Sequence, residues 1–160
     1  ILVTCSGSTY PPRVDSIKKI VERLEYSETS KFTLHSCNIN VMRDKIEFYR
    51  EYKKTRELMK KKIVIKKSAI FFWDHRYIIK SKFSDLTCYI FDDKMWVKLK
   101  KDFKSLKDVK QIDYDVLKTI PILKINKKYL IPFVSSYNDL KEQGVEVIFE
   151  PKISLTKKNF

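Results

Sequence analysis

The sequence predicts an α+β fold, in which a short N-terminal helical segment precedes antiparallel β-hairpins and one amphipathic helix packs on the hairpins. Three observations support this prediction. Short segments rich in Ile, Val, Phe and Tyr recur along the chain, which is typical of half-buried strands. Polar residues separate several of these segments at the spacing of a tight hairpin turn. Two other segments repeat their apolar residues at the spacing of an amphipathic helix.

The first helical pattern covers residues 11–25. Its apolar residues recur at i, i+3, i+4 and i+7, at Ile17, Ile20, Val21 and Leu24. Pro11 and Pro12 suit the first turn of a helix, where the missing N–H costs nothing. A polar break follows at residues 27–30. We therefore assign residues 1–28 to a helical segment and residues 29–160 to a basic α+β region.

The next pattern, at residues 32–51, indicates a β-hairpin with Arg43 and Asp44 near its turn. Alternation places Ile39 with Val41 on one face, and Ile46 with Phe48 on one face. Phe32 and Leu34 are out of phase with Cys37, Ile39 and Val41. A bulge or kink around His35 and Ser36 would reconcile the two phases, and we predict one there.

Further hairpins are predicted about Asp74–His75 and about Asn126–Lys127, with additional strands in the segments LTCYIF and VEVIFE. Between the first two hairpins, residues 53–62 are mostly charged and read as an exposed linker or a weak helix. The second helical pattern, at residues 94–106, has a stripe of apolar residues that we expect to be buried: Trp96, Leu99, Phe103 and Leu106.

The composition of the chain limits the classes of function that it can have. The 160 residues carry 34 Lys and Arg against 20 Asp and Glu, a formal net charge of +14, which suits a polyanionic partner such as nucleic acid. An excess of lysine also arises from codon bias, so charge alone leaves a protein partner open. No apolar run approaches the roughly 20 residues of a membrane span. Three scattered cysteines and two histidines make a zinc site improbable, and we expect no metal and a reducing cytoplasm.

The opening segment ILVTCSGSTYPPR raises the question of a phosphate-binding loop. A phosphate cradle requires several converging N–H groups, usually from repeated glycines, and the chain contains only two glycines in all. We therefore interpret Ser6–Gly7–Ser8 as a turn that precedes a helix.

Catalytic groups are sparse. Cys37 and His35 could form a dyad if the strand is regular, although a buried cysteine beside a half-exposed histidine is the simpler interpretation. Asp92 and Asp93 could bind a cation or begin a helix. Arg76, beside Trp73 and His75, could grip a phosphate next to a stacked base, or pair with Asp74.

A series of motifs resembles the C-terminal half of the bacterial tRNA(Ile)-lysidine synthetases. Gly7 and Tyr10–Arg13 match a Gly-x-x-Tyr-Pro-Pro-Arg block, and residues 33–37 resemble Thr-Leu-Gly-Gly-Cys, leading to Arg50–Glu51. Residues 73–77 resemble a Trp-Asp-Gly-Arg-Phe hairpin. Residues 121–123 and 131–132, and then Phe149, Pro151 and Leu155, resemble the closing strands. The glycines that the family has in two turns are replaced here by His35–Ser36 and by His75. These turns could therefore be less tight than those of the family.

The resemblance implies a parent reaction in which ATP, with Mg²⁺, adenylates the wobble cytidine of tRNA(Ile) with a CAU anticodon, and lysine displaces AMP. The family's Ser-Gly-Gly-x-Asp-Ser loop for ATP belongs to an upstream catalytic domain that this sequence does not contain. We therefore expect a catalytically inert, cytoplasmic tRNA-binding part, with that domain as a partner and a homodimer as a further option. The alternative is a basic scaffold without an RNA role. Our candidate RNA contacts are Arg13, Lys18, Arg50, Arg76, Lys98 and Lys101.

Overall fold

The computed structural model describes residues 1–26, 29–60, 62–102 and 113–155. Helices within these ranges are α1 (Leu2–Ser6), α2 (Val14–Tyr26), α3 (Tyr52–Leu58), α4 (Asp93–Asp102), α5 (Tyr114–Leu117) and α6 (Tyr137–Glu142). The strands are β1 (Ser30–Leu34), β2 (Cys37–Val41), β3 (Ile46–Arg50), β4 (Lys62–Ile65), β5 (Ile70–Trp73), β6 (Tyr77–Ser81), β7 (Leu86–Tyr89), β8 (Ile122–Ile125), β9 (Lys128–Leu130) and β10 (Val145–Phe149). The α+β fold class is thereby confirmed.

The strands form three antiparallel sheets, ordered β1-β2-β3, β4-β7-β8-β9 and β10-β6-β5. The three predicted hairpins are present as β2-β3, β5-β6 and β8-β9, each a pair of neighbours in both sequence and space. A fourth, β1-β2, was not predicted. The last strand, β10, pairs instead with β6, so the C-terminal segment returns to a sheet begun some 70 residues earlier.

The bulge predicted near His35 is wrong. Leu34 pairs directly with Cys37, and Phe32 pairs with Ile39, because the chain reverses direction between β1 and β2. Opposite residues of an antiparallel pair share one face, so this reversal itself brings the two apolar sets into phase. What looked like one hairpin is a three-stranded meander.

Two tight turns form without the glycines that such turns favour. His35 and Ser36 have φ of 52° and 60°, and Asp74 and His75 have φ of 50° and 55°. These left-handed values are those of type I′ turns, which Asp and His tolerate better than most residues. In the second turn Trp73 pairs with Tyr77, so the loop has three residues rather than the predicted two.

The apolar core has two parts. One lies among the strands, around the fully buried Trp73 and Ile79. The other lies under α4, where Leu99 and Met95 pack on Phe91 and Ile122, with Trp96 at the edge of this cluster. The predicted burial of Leu99 is therefore confirmed, and Trp96 is half-buried. Phe103 and Leu106, which completed the predicted stripe, lie outside the described residues.

Helix α1 is not separated from the sheets, because it packs on β2 and β3. Gly7 ends this helix with φ of 66°, and a Cβ at this position would lie 2.9 Å from Cγ of Arg76 and 3.0 Å from the Asp74 carbonyl oxygen. A residue with a side chain would clash there. The Ser6–Gly7–Ser8 segment is therefore a helix end that allows close approach to the β5–β6 loop.

In the region predicted to be a linker or a weak helix, the charged residues form helix α3, and Thr55 on this helix is completely buried. No helix in the described ranges combines the length and the apolar character needed to cross a membrane.

Candidate nucleic-acid interface

Two of the six candidate RNA contacts lie on the N-terminal helical segment. Arg13 and Lys18 are both exposed. The Arg13 carbonyl oxygen accepts from the backbone N–H groups of Ser16 and Ile17, which places Arg13 immediately before the first turn of α2. This helix buries none of its residues, and Ile17 is 39% exposed. The side chains of Arg13 and Lys18 are thus available to an external partner.

Two further candidates lie on α4. Lys98 is exposed, next to the buried Leu99 that anchors the helix, and no described carboxylate pairs with it. Lys101 belongs to the same helix, but its side chain lies outside the described residues. Lys98 therefore remains a proposed RNA contact.

The remaining two candidates are in the interior. Arg50 and Arg76 are each 4% exposed, and both donate to the carboxylate of Asp74, which is completely buried. Arg50 donates through Nε and Nη2 at 3.2 and 3.0 Å, and Arg76 through the same two nitrogens at 3.1 and 2.8 Å. Their assignment as RNA contacts is corrected, because both guanidiniums are buried and hydrogen-bonded to Asp74. For Arg76, this pairing with Asp74 is the alternative that the sequence suggested.

The Asp74 cluster joins three separate elements. Arg50 ends β3, Asp74 and Arg76 lie in the β5–β6 loop, and Thr55 of α3 donates its hydroxyl to Asp74 Oδ2 at 2.8 Å. Arg76 Nη2 also donates to the Thr119 carbonyl oxygen at 2.9 Å. Because a buried charge is costly unless it is paired and hydrogen-bonded, each member requires the others. Two guanidiniums and one carboxylate give this cluster a net charge of only +1. The remainder of the chain's formal net charge of +14 therefore belongs to residues outside the cluster.

The cysteine–histidine alternative finds no support. The Cys37 thiol is fully buried and donates to the Leu2 carbonyl oxygen at 3.5 Å. The neighbouring Cys5 side chain and burial both raise the pKa of the Cys37 thiol. A raised pKa disfavours the thiolate, which is the nucleophilic form. The other alternative, Asp92 as a helix start, is what the structure contains, because Asp92 Oδ1 accepts from the Met95 N–H at 2.7 Å.

A cleft of about 530 Å³ opens between α3, the β7–α4 junction and α5, and we call it the α3–α5 cleft. Its lining combines two tyrosines, three cations, two carboxylates and two apolar residues: Tyr52, Tyr114, Arg56, Lys94, Lys118, Asp92, Asp93, Met59 and Ile90. This size falls within the range of sites for small organic groups.

Two of the three cations of this cleft lie near its aromatic rings. Lys118 Nζ is 4.5 Å from the Tyr114 ring centre and 5.6 Å from that of Tyr52. The Arg56 guanidinium lies 5.7 Å from the Tyr52 ring centre. Tyr114 donates its hydroxyl to Asp93 Oδ1 at 2.5 Å, and this hydrogen bond raises the pKa of Tyr114 to about 12. Asp93 thus holds the Tyr114 hydroxyl at the edge of the cleft.

Sequence reasoning did not find the α3–α5 cleft. Tyr52 and Arg56 are four residues apart in a segment read as a connector, and this spacing on a helix places them on one face. This spacing was the only local feature that could have indicated one wall of the cleft. Asp92 and Tyr114 are separated by more than 20 residues, and no local pattern joins them.

A second group of aromatic and basic side chains lies on one face of the β4-β7-β8-β9 sheet. Tyr89 and Tyr129, on β7 and β9, have ring centres 6.3 Å apart. Lys124 of β8 lies 5.2 Å from the Tyr129 ring centre. All three side chains are half-buried. Such a face offers rings for stacking and a cation beside them.

Comparison with known proteins agrees with the motif resemblance. Proteins named tRNA(Ile)-lysidine synthase from Rickettsia akari, Rickettsia typhi and Rickettsia conorii are 32%, 33% and 32% identical to the chain over 158 residues. Each alignment covers 94% of this chain. Over nearly its whole length, the chain is similar to the C-terminal part of tRNA(Ile)-lysidine synthases.

The chain spans about a third of these relatives: 35% of the R. akari and R. typhi proteins and 32% of the R. conorii protein. No protein-family model matches the chain, and no solved structure does. These relatives are named for their action on tRNA(Ile).

Proposed function

We propose that this chain is the tRNA-binding C-terminal part of a tRNA(Ile)-lysidine synthase and acts in the cytoplasm. The similarity over 94% of its length supports the parentage. The observation that carries the binding role is the location of the charge. The buried cluster holds only one unit of the formal +14, whereas the described cations Arg13, Lys18 and Lys98 are exposed, where phosphates can reach them.

Exposed cations from distant parts of the chain support this role. Arg13 and Lys18 lie at α2, Lys98 lies on α4, and none of the three pairs with a described carboxylate. By contrast, Lys45 is held by Glu47 at 2.7 Å. Phosphate contacts need little more than accessible cations, and they position an RNA without reading its sequence.

The reaction itself is proposed for the whole enzyme: lysine ligated to the wobble cytidine of tRNA(Ile) with a CAU anticodon, at the expense of ATP. The turn at Gly7 does not fit the phosphates of ATP, because Gly7 lies against Arg76 rather than open to an anion. We therefore assign the ATP chemistry to the catalytic domain of the parent enzyme.

The test is binding of the purified chain to fluorescently labelled tRNA(Ile), measured by anisotropy at several salt concentrations. For phosphate contacts, log Kd should rise linearly with log salt concentration, by about 0.7–0.9 per neutralised phosphate. Arg13→Gln and Lys98→Gln should each lower this slope by about one contact. Lys45→Gln is the matched control, because its charge is already compensated, and it should leave the slope unchanged.

A flat salt response would favour the scaffold alternative and contradict the RNA role. A steep slope that is unaffected by both variants would retain the role and reject these two residues as contacts. Comparison of tRNA(Ile) with another tRNA of equal length then shows how much of the affinity depends on identity.

A further inference from the structure

The α3–α5 cleft has the chemistry of a nucleotide site, and the tRNA-binding role does not by itself require such a site. Its rim carries Arg56 and Lys94, both exposed, and Lys118 lies deeper. The walls contain the tyrosines of α3 and α5. Guanidinium planes and tyrosine rings are the groups on which unpaired bases stack, and ammonium and guanidinium groups bind phosphate.

The two carboxylates of the cleft are held in place and keep acceptors available. Asp92 uses Oδ1 to cap α4, and Asp93 uses Oδ1 to accept from Tyr114. The Oδ2 atoms of both accept no hydrogen bond from any residue that the structure describes. Carboxylate oxygens of this kind accept from the exocyclic amino group of a base.

Two cations of the cleft are available to an anionic occupant. Lys118 is already paired with Asp115 at 2.8 Å. Arg56 and Lys94 make no ion pair with a described carboxylate. The Arg56 guanidinium has only a ring contact, at 5.7 Å, among the contacts described. It can thus turn toward a phosphate without breaking an ion pair, whereas Asp92 and Asp93 stay fixed by their hydrogen bonds.

We propose that the α3–α5 cleft binds one unpaired nucleotide of the RNA, with the base against the tyrosines and the phosphate at Arg56 and Lys94. This inference rests on the proposed tRNA-binding function and deepens it. A free nucleotide presents the same chemistry, so the experiment must separate the two sources.

The reporter is Trp96, whose ring lies 6.0 Å from the ring of Tyr114. The other tryptophan, Trp73, is completely buried and away from the cleft lining. Three probes are titrated against the chain: cytidine 5′-monophosphate, a single-stranded RNA tetranucleotide, and a blunt RNA duplex. We expect the tetranucleotide to change Trp96 fluorescence, and we expect the duplex to leave it unchanged. Trp96→Phe should remove the signal.

The variant Arg56→Gln/Lys94→Gln should weaken tetranucleotide binding about tenfold, as loss of a base or phosphate contact does. Lys141→Gln/Lys152→Gln removes the same charge from exposed sites outside the cleft, and it should have a clearly smaller effect. Circular dichroism confirms that both variants are folded.

Equal effects of the two double variants would overturn the site, and so would a fluorescence change with the duplex. Monophosphate binding as tight as tetranucleotide binding would overturn the RNA source and indicate a free nucleotide. Anisotropy with labelled tRNA(Ile) is measured in parallel. If tRNA binds while the cleft reporter is silent, the inference fails and the proposed function stands. If tRNA does not bind, the proposed function fails as well.

Discussion

Replacing Asp74 by Asn tests the claim that Arg50 and Arg76 hold the fold together. The Asp74 carboxylate accepts five hydrogen bonds, two from each arginine and one from Thr55, and its side chain is completely buried. Asn has nearly the same shape and tolerates the left-handed φ of 50° found here. The substitution therefore removes the negative charge and leaves two guanidiniums facing each other in the interior.

We expect Asp74→Asn to lower the free energy of unfolding by about 3–5 kcal/mol, the cost of removing one partner from a buried ion pair. With a urea m-value of about 2 kcal/mol/M, the midpoint should fall by roughly 2 M. Urea unfolding in a Trp96→Phe background measures it, because the remaining fluorescence comes from Trp73, a buried ring that immediately precedes Asp74 in the chain.

The matched control is Asp85→Asn. Asp85 pairs with Lys66 at 2.9 Å, but its side chain is 48% exposed. An exposed pair contributes about 0–1 kcal/mol, so this variant should unfold close to wild type. If Asp74→Asn also unfolds within about 1 kcal/mol of wild type, the cluster is not the structural element described here.

Three further predictions follow from burial and titration. Leu99→Ala should lower the free energy of unfolding, measured by urea denaturation, by about 2–5 kcal/mol, because this completely buried side chain packs α4 against the core. A smaller loss would mean that α4 is loosely packed. In the folded chain, a thiol reagent should label only Cys5, which is half-buried and has a pKa lowered by the neighbouring Cys37 side chain. All three cysteines should react in urea, and labelling of a second thiol before unfolding would contradict this prediction. Tyr114 should ionise near pH 12 in an absorbance titration, and Asp93→Asn should lower that pKa. Because the folded-state pKa is raised, the stability that Tyr114 contributes is complete below pH 10 and is lost as the pH rises toward 12.

Local patterns were sufficient to predict most of the strands and helices α2 and α4, because alternation and helical spacing are properties of neighbouring residues. The short helices α1, α5 and α6 were not predicted from such patterns. Ile39 and Val41 share a face as expected, and Asn126 lies at a hairpin turn with φ of 52°. Which residues of β1 share a face with those of β2 could not be predicted from alternation along the sequence. It depends on the pairing of Leu34 with Cys37 across a turn.

The roles of the arginines could not be predicted in the same way. Arg50 and Asp74 are 24 residues apart, and nothing near either residue indicates that they meet. A basic residue at a hairpin tip usually reaches solvent, yet Arg76 turns inward because α1 and α3 pack over its loop. The α3–α5 cleft was missed for the same reason, because its three walls come from distant parts of the sequence.

The measurement that tests the central claim most directly is lysine acetylation of the folded chain with and without saturating tRNA(Ile), read by mass spectrometry. If surface cations bind the RNA, tRNA should protect a subset of exposed lysines that includes Lys98, while Lys45, already paired with Glu47, should stay as reactive as before. Unchanged reactivity at every exposed lysine in the presence of tRNA would contradict the account.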